Sequence, residues 1–201
     1  DRGLVGSEMC IRDRKQIIQG WGRNLSAEVN ILEPKNESLL KEIILNSERE
    51  SLIVRGLGRS YGDSAQLDKM NVVSLKKFNT FNLDKKNNLI TSQAGVTFDE
   101  LLKYIVPRGF FLPVSPGTRF VTVGGAIASD VHGKNHHVDG SFGNNIQSIV
   151  LLDGKGKLHT LKPYSSINKI YDKNFWSTVG GMGLTGVIVE ATFKLIPISS
   201  S

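Results

Sequence analysis

The sequence predicts a mixed α+β fold, and three observations support this prediction. Short strand-like apolar runs are interspersed with separated amphipathic helices, no regular alternation of strand and helix runs through the chain, and glycine-rich loops lie between the elements. The 201 residues, of which 39% are hydrophobic and 22% charged, suffice for one domain or two small lobes with a buried core. This composition excludes a disordered or collagen-like chain.

Two helices are predicted in the first half of the chain. The first covers residues 34–47, where Leu40 and Ile44 lie one turn apart on an apolar face. The second begins after Thr97, an N-cap residue that forms a capping box with Glu100 three positions later. A proline and a glycine end this second helix.

The strands are predicted from short runs rich in β-branched and leucine residues. They cover residues 51–54, 72–75, 89–92, 146–152, 158–161 and 185–195. The Asp-Gly-Lys-Gly sequence at 153–156 predicts a hairpin turn between the fourth and fifth of these strands. Residues 174–181 suggest one or two helical turns, whereas residues 113–143 show little periodicity.

Charge and composition also restrict the class of partner. The net charge is +6, but the lysines occur in scattered pairs with no basic stripe interleaved with aromatic residues, so no nucleic-acid partner is expected. A single cysteine excludes an intramolecular disulfide framework and a cysteine-based zinc site. No apolar run approaches the roughly 18–20 residues of a transmembrane helix, so no transmembrane segment is expected.

Neither end of the chain is interpreted as a natural terminus. Residues 9–13 read like the translation of a transposon end used in sequencing libraries, so residues 1–14 are interpreted as adapter read-through. An ordinary polar N-terminus is the alternative. The native domain then covers 15–201, and it stops just after a strand-like run. We therefore expect a chain that is truncated after this domain.

The loop Arg55–Asp63 has the most informative sequence, Arg-Gly-Leu-Gly-Arg-Ser-Tyr-Gly-Asp, directly after a predicted strand. Glycines allow backbone N–H groups to approach an anion, and Arg59 and Ser60 can add donors for phosphate oxygens. The GxGxxxG spacing fits neither a Rossmann fingerprint nor a Walker A loop. Taken alone, such a loop could equally be a structural turn.

Two further glycine clusters accompany this loop. Residues 116–130 carry Gly117, Gly124 and Gly125 among small side chains, and a third cluster at 180–186 precedes the last predicted strand. Close packing of two elements is the alternative explanation for each cluster. Together the three loops favour an extended dinucleotide over three independent turns.

These loops resemble the flavin domain of the vanillyl-alcohol-oxidase superfamily, also called PCMH-type FAD-binding domains. The matching segments are residues 20–23, 55–63, 116–137, 140–144 and 175–186. The resemblance implies a domain of two α/β lobes, a smaller one over about 15–77 and a larger one over about 78–197. It also implies that a C-terminal substrate domain is missing.

The resemblance further implies which residues contact the FAD cofactor. These residues are Val54, Arg55, Gly56, Leu57, Gly58, Arg59, Ser60, Tyr61, Gly62, Asp63, Ser64, Gly117, Thr122, Val123, Gly124, Gly125, Ser129, Asp130, Val131, His132 and Ile188. Tyr61, His132 and Lys134 would carry catalytic roles on the substrate side, beside Gly133. Covalent relatives often have a histidine where Arg59 stands, so noncovalent FAD is expected, with His132 as the alternative attachment point.

The histidines at 132, 136 and 137 also raise the question of a metal site. Zinc usually takes three or four ligands from distinct elements, and this loop offers no cysteine and no clear fourth ligand. We expect no metal, and we expect these histidines to form hydrogen bonds near the flavin.

The resemblance is strongest to oxidases of a polyprenyl-phosphate sugar. It implies oxidation of the ribose 2-hydroxyl to a 2-keto sugar in the synthesis of arabinan precursors for the cell wall, with an NAD-dependent reductase as partner. The expected location is cytoplasmic or associated with the cell envelope, the periplasmic side included, with peripheral membrane contact through the lipid substrate. Alternatives are an alditol or aldonolactone oxidase, or a non-catalytic dinucleotide-binding module. The fragment alone is expected to be inactive.

Overall fold

The computed structural model describes residues 15–47, 52–164 and 171–199. The strands are β1 Lys15–Gln19, β2 Ser26–Leu32, β3 Leu52–Arg55, β4 Asn71–Ser74, β5 Phe81–Asp84, β6 Leu89–Gln93, β7 Phe110–Phe111, β8 Ile146–Leu152, β9 Leu158–Leu161, β10 Val187–Lys194 and β11 Ile196–Pro197. The α-helices are α1 Glu37–Asn46, α2 Phe98–Ile105, α3 Val123–Ala128, α4 His136–Asp139 and α5 Lys173–Thr178. Two 3₁₀ helices cover Val106–Arg108 and Phe142–Asn145.

The first sheet is mixed and has the order β1-β2-β4-β3. Strand β1 is antiparallel to β2, whereas β4 is parallel to both β2 and β3. Val54 pairs with Val73, so β3 and β4 end at the same edge of the sheet. The glycine-rich loop that follows β3 therefore begins at this edge.

The second sheet is antiparallel and has the order β5-β6-β10-β8-β9. The predicted hairpin is confirmed, because β8 and β9 pair on either side of a tight turn in which Gly156 has φ +72°. Strands β7 and β11 form a small antiparallel sheet of their own. Together with the helices, the sheets of the described residues confirm the α+β prediction. The first sheet comes from residues 15–74 and the second from 81–194.

One hydrophobic core joins the two sheets. The ring of Phe142 lies 5.2 Å from that of Phe98 and 5.1 Å from that of Phe193, between centroids. All three side chains are fully buried, and the same cluster includes Leu32 and Val73 of the first sheet. This continuous packing fixes the two sheets side by side and positions the loops between them.

The predicted start of the second helix is confirmed, whereas the first helix begins at Glu37, three residues after the start of the predicted range 34–47. Asn36 caps α1 through its side chain, which accepts from the backbone N–H of Leu39 at 3.0 Å. Thr97 and Glu100 form the expected capping box on α2. Gly109 ends the following 3₁₀ turn with φ +83°.

Helix α3 lies in a region where the sequence shows little periodicity. It has six residues and contains two glycines, so neither helical spacing nor helix propensity predicts it. Its position is fixed by backbone bonds from Val123 to Val96 at 2.8 Å and from Gly124 to Ala94 at 2.9 Å. Tertiary contacts therefore determine this helix.

Residues 1–14, with the proposed adapter segment and Cys10, lie outside the described ranges. The lobe boundaries also stay a prediction. Within the described ranges, no helix combines the length and the apolar character needed to cross a bilayer.

Candidate functional site

The candidate site is a cleft of about 600 Å³ lined by residues from both sheets. Its walls are the loop after β3, the ends of β4 and β6, helix α3 with the segment that follows it, and the start of β10. A cavity of this size is typical of small-molecule and cofactor sites. The cleft is therefore large enough for an extended ligand.

The loop after β3 forms one wall of this cleft. Gly58 has φ +62°, and a side chain there would collide with the guanidinium of Arg55. Gly56 packs against the hydroxyl of Thr122, which leaves no room for a side chain. These glycines therefore allow both a left-handed turn and close contact between chain segments.

Helix α3 forms the facing wall. Its N-cap Thr122 accepts a hydrogen bond from the backbone N–H of Gly125 at 3.1 Å. A Cβ atom at Gly124 would lie 2.9 Å from that of Ala94, so a glycine permits α3 to approach β6. The cleft is lined here by backbone and small side chains, against which a flat ring or a diphosphate can lie.

The third glycine cluster is held by the end of α3. The backbone N–H of Gly180 donates to Ile127 at 3.0 Å, and that of Met182 donates to Ala128 at 2.8 Å. Met182 itself has φ +53°, a left-handed conformation that is uncommon for a non-glycine residue. The cluster thus brings Gly183, Gly186 and β10 to the cleft.

The structure brings most of the predicted cofactor residues to one cleft. Those that line it are Val54, Arg55, Gly56, Leu57, Gly58, Arg59, Ser60, Ser64, Thr122, Gly124, Gly125, Ser129, Val131 and Ile188. Three segments far apart in sequence therefore meet at one place, as a shared ligand requires.

Other predicted cofactor residues lie outside the cleft. Tyr61, Gly62 and Asp63 form an exposed loop tip, and the Tyr61 side chain is 75% exposed. Val123 is fully buried in the core. The carboxylate of Asp130 accepts from the backbone N–H of Gly143 at 2.9 Å, so its role in this structure is to join two loops.

The remaining predicted residues line a second, shallower groove of about 760 Å³. Gly117, His132 and Lys134 lie there together with Gly133 and Asn135. The groove adjoins the cleft, because the next residue after Gly117 and the residue before His132 both line the cleft. Asn135 holds the groove together by donating to the carbonyl of Pro113 at 2.9 Å.

The floor and rim of the cleft contain residues that the sequence did not indicate. They are Ala65, Ser74, Leu75, Lys76, Asn79, Ala94, Gly95, Thr97, Glu100 and Val187. Thr118, Val121, Ala128, Met182, Gly183 and Gly186 also line the cleft, but they belong to the glycine clusters at 116–130 and 180–186 that the sequence indicated. The glycine at position 95 could have indicated close packing from the sequence, since a side chain there would collide with the carbonyl of Leu75. The polar rim residues Lys76, Asn79 and Glu100 come together only through the fold.

Positive charge is concentrated at the glycine-rich loop. Burial lowers the pKa of the Arg55 guanidinium below its ordinary value, and the neighbouring charge of Arg59 lowers it further. The Arg59 guanidinium donates to the Leu57 carbonyl at 2.8 Å and lies 5.2 Å from the Trp21 ring centroid. Two like charges at one wall favour an anionic ligand.

The rings of the three neighbouring histidines contact one another in sequence, edge-to-face between His132 and His136 and tilted between His136 and His137. The ring centroids of His136 and His137 are 3.9 Å apart, and those of His132 and His136 are 5.3 Å apart. His136 contacts the carbonyl of Gly133 through its Nδ1 atom at 3.0 Å. Among the residues described, no three histidine, cysteine or acidic side chains are grouped as metal ligands.

Comparison with known proteins agrees with this geometry. A family model described as an FAD binding domain matches residues 30–162. The chain belongs to the FAD-binding domain family. Its cofactor is FAD, and the expected PCMH-type flavoprotein domain is confirmed.

Three relatives illustrate the range of this family. The domain is 40% identical over 188 residues to decaprenylphosphoryl-β-D-ribose oxidase of Mycolicibacterium smegmatis. The alignment covers 92% of this chain and 40% of the relative. It is 29% identical over 177 residues to D-lactate dehydrogenase of Archaeoglobus fulgidus, with coverage of 83% and 38%. It is 24% identical over 202 residues to D-arabinono-1,4-lactone oxidase of Eremothecium gossypii, with coverage of 96% and 37%. The chain thus spans about two fifths of the length of these relatives.

The residues of the cleft fit FAD. The glycine-rich loop of the FAD-binding domain offers backbone donors and the positive charge of two guanidinium groups to an anionic diphosphate. The wall formed by Ala94, Gly124 and Gly125 is small enough to accept a flat ring system. Bound there, FAD would be held by groups from all three glycine-rich segments.

Proposed function

We propose that this domain belongs to an oxidase of decaprenylphosphoryl-β-D-ribose, which converts the ribose 2-hydroxyl to a ketone. The inference of this substrate rests on the 40% identity, over 92% of the chain, to the mycobacterial enzyme of that name. The D-lactate dehydrogenase and D-arabinono-1,4-lactone oxidase relatives are more distant, at 29% and 24% identity. The alternative substrates are therefore alditols, aldonolactones and D-lactate.

The glycine-rich loop would hold the diphosphate of FAD without a covalent bond. Arg59 and Ser60 face the cleft and supply donors for the diphosphate oxygens, and no histidine stands in this loop to form a covalent link. Ser129 and Val131 would run along the flavin side, and Ile188 would pack near the adenine. Once bound, FAD supplies the two-electron acceptor for alcohol oxidation.

The groove beside the cleft would bind the substrate. Its wall combines apolar side chains, among them Phe111, Leu112 and Ile196, with the cationic Lys134. Such a mixture suits a substrate that joins an apolar prenyl chain to a phosphate. Because the groove adjoins the cleft along Gly117 and His132, a sugar bound in it would lie close to the cofactor.

The chain's own groups then orient the sugar and accept its hydroxyl proton. We assign phosphate binding to the ammonium of Lys134 and acceptance of the hydroxyl proton to a ring nitrogen of His132, because both side chains line the groove. Tyr61, on the exposed loop tip, is a proposed substrate contact. The residues beyond this domain would complete the pocket and exclude water, so we expect no turnover from the 201 residues alone.

A lipid-linked substrate also suggests the location of the enzyme and the partner enzyme that uses its product. We propose peripheral contact with a membrane surface, on the cytoplasmic or the envelope side, through the prenyl chain of the substrate. The 2-keto sugar would pass to an NAD-dependent reductase, which would complete an epimerisation at the same carbon.

The direct test uses the protein extended by its downstream coding sequence. Under anaerobic conditions, polyprenyl-phosphoryl ribose should bleach the flavin absorbance, whereas D-lactate, alditols and D-arabinono-1,4-lactone should not. Lys134→Gln should raise KM for the lipid phosphate by about tenfold, since one charge-assisted contact is lost. Lys155→Gln, in the distant hairpin, is the matched control. Bleaching by lactate or a lactone alone would assign the other substrate, and a flavin that none of them reduces would support a non-catalytic module.

A further inference from the structure

In the structure Arg55 ends β3, and the glycine-rich loop covers residues 56–65. The Arg55 side chain contacts three backbone segments. Its Nη1 atom donates to the carbonyl of Ala65 at 2.8 Å, where the loop ends. Its Nη2 atom donates to the carbonyl of Gln19, at the end of β1. The guanidinium also fills the space beside Gly58, at the left-handed turn of the loop.

The side chain of Arg55 alone therefore contacts both the turn of the loop at Gly58 and the end of the loop at Ala65. Arg55 is itself the last residue of β3, so it precedes the loop, contacts its turn and binds its final residues. A planar guanidinium can donate in two directions at once, which the single ammonium of lysine does with poorer geometry. The conformation of residues 56–65 therefore depends on the shape of this group as well as on its charge.

The charge of Arg55 is not neutralised by an acidic partner. Both donors go to backbone carbonyls, and the ion pairs formed within residues 15–47, 52–164 and 171–199 include neither Arg55 nor Arg59. Two guanidinium groups thus share one wall of the cleft. The positive charge of each destabilises the charged form of the other.

We propose that Arg55 is a positioning residue, which holds residues 56–65 in the shape that binds a diphosphate and keeps an unneutralised positive charge there for that ligand. This inference rests on the proposed diphosphate position of FAD. Binding of the diphosphate would relieve the repulsion between Arg55 and Arg59, so both shape and charge contribute to affinity.

The experiment measures the dissociation constants of FAD and ADP at low and high salt for Arg55→Lys and Arg55→Gln in the 201-residue chain. Arg55→Lys should weaken both ligands by about tenfold and keep the salt dependence of the original chain, because its charge remains. Arg55→Gln should weaken both ligands by up to about a hundredfold and show a shallower salt dependence.

Asn36→Ala is the matched control, because it removes a helix cap outside the cleft and should leave affinity and salt dependence unchanged. Arg55→Gln with unchanged affinity, or with weakened affinity and the salt dependence of the original chain, would overturn the inference. Failure of the unmodified chain to bind FAD would instead overturn the assignment of the cleft as a flavin site, so the two failures are distinguishable.

Discussion

The hydroxyl of Thr122 occupies the space in which a side chain at Gly56 would begin. The same hydroxyl caps helix α3 by accepting from the N–H of Gly125, so one atom joins the first glycine-rich loop to the second. The two explanations considered for these glycines, ligand approach and close packing, are therefore compatible. Gly56 lines the cleft and also permits the two walls to meet.

Gly56→Ala should therefore damage both the fold and the site. The added methyl group must displace Thr122, and overpacking of this kind costs about 1–3 kcal/mol of unfolding free energy. We expect FAD affinity to fall by about tenfold, since the shift moves a wall of the cleft. Chemical denaturation and flavin fluorescence titration measure the two effects.

A double-mutant cycle separates steric conflict from a general loss of stability. Thr122→Ala alone removes the N-cap of α3 and should cost about 1 kcal/mol. Combined with Gly56→Ala it removes the colliding hydroxyl, so the double variant should be more stable than the sum of the single effects predicts. Strict additivity would contradict the proposed contact.

Asp130 should tolerate asparagine and not alanine. Its backbone has φ +41°, a conformation that asparagine adopts more readily than alanine, and its Oδ1 atom accepts from the N–H of Gly143. Asp130→Ala should lower the unfolding free energy by about 1–3 kcal/mol and weaken FAD binding, whereas Asp130→Asn keeps the acceptor and should be close to the original chain. Equal losses in both variants would indicate that the negative charge itself matters.

The β8–β9 hairpin should show acid-dependent stability. A hydrogen bond from His159, at 2.7 Å, is the main cause that lowers the pKa of Asp153 from 3.8 to about 2, and backbone N–H groups add to it. A depressed carboxyl pKa stabilises the fold above the unfolded value and loses that contribution as pH falls through the folded value.

Asp153→Asn should accordingly lower the melting temperature at neutral pH. The difference from the original chain should shrink as pH falls from about 4 towards 2. Melting curves recorded by circular dichroism at several pH values test this. A difference that stays constant over that interval would contradict the assigned pairing.

Asn36→Ala tests the first helix independently of the site. Its side chain accepts from the N–H of Leu39, and removal of such an N-cap costs about 1 kcal/mol. The unfolding free energy should fall by that amount while FAD affinity stays the same. A loss of FAD affinity would show that α1 is coupled to the cleft.

The sequence predicted the elements whose causes are local. Helix α1, the capping box of α2 and the hairpin between β8 and β9 depend on residues that are close in sequence. Strands β1, β2, β5, β7 and β11 were not predicted. Formation of β1 and β5 depends on pairing with β2 and β6 and not on a strong local pattern. In β2, by contrast, the alternation that buries Ala27 and Val29 is a local signal that the strand prediction missed. In β1, Ile17 is 77% exposed and gives no buried face to recognise.

The parts of the candidate site that contain glycine clusters could be predicted from the sequence. The residues that only the three-dimensional fold brings to the site could not. The three glycine clusters meet at one cleft, as their interpretation as loops that share an extended dinucleotide predicted. Lys76, Asn79 and Glu100 reach the rim from β4–β5 and α2, and nothing in their local sequence indicates it. Conversely, the exposure of Tyr61 and the burial of Val123 depend on long-range packing that a local sequence pattern does not report.

The most direct test of the account is a visible absorbance spectrum of the purified chain, after addition of FAD, before and after acid precipitation. We predict a protein-bound flavin spectrum in the native sample and flavin colour in the supernatant after acid, because we propose that the cleft holds FAD without a covalent bond. Colour that stays in the pellet would contradict the noncovalent attachment. A colourless chain that takes up no FAD would contradict the assignment of the cleft itself.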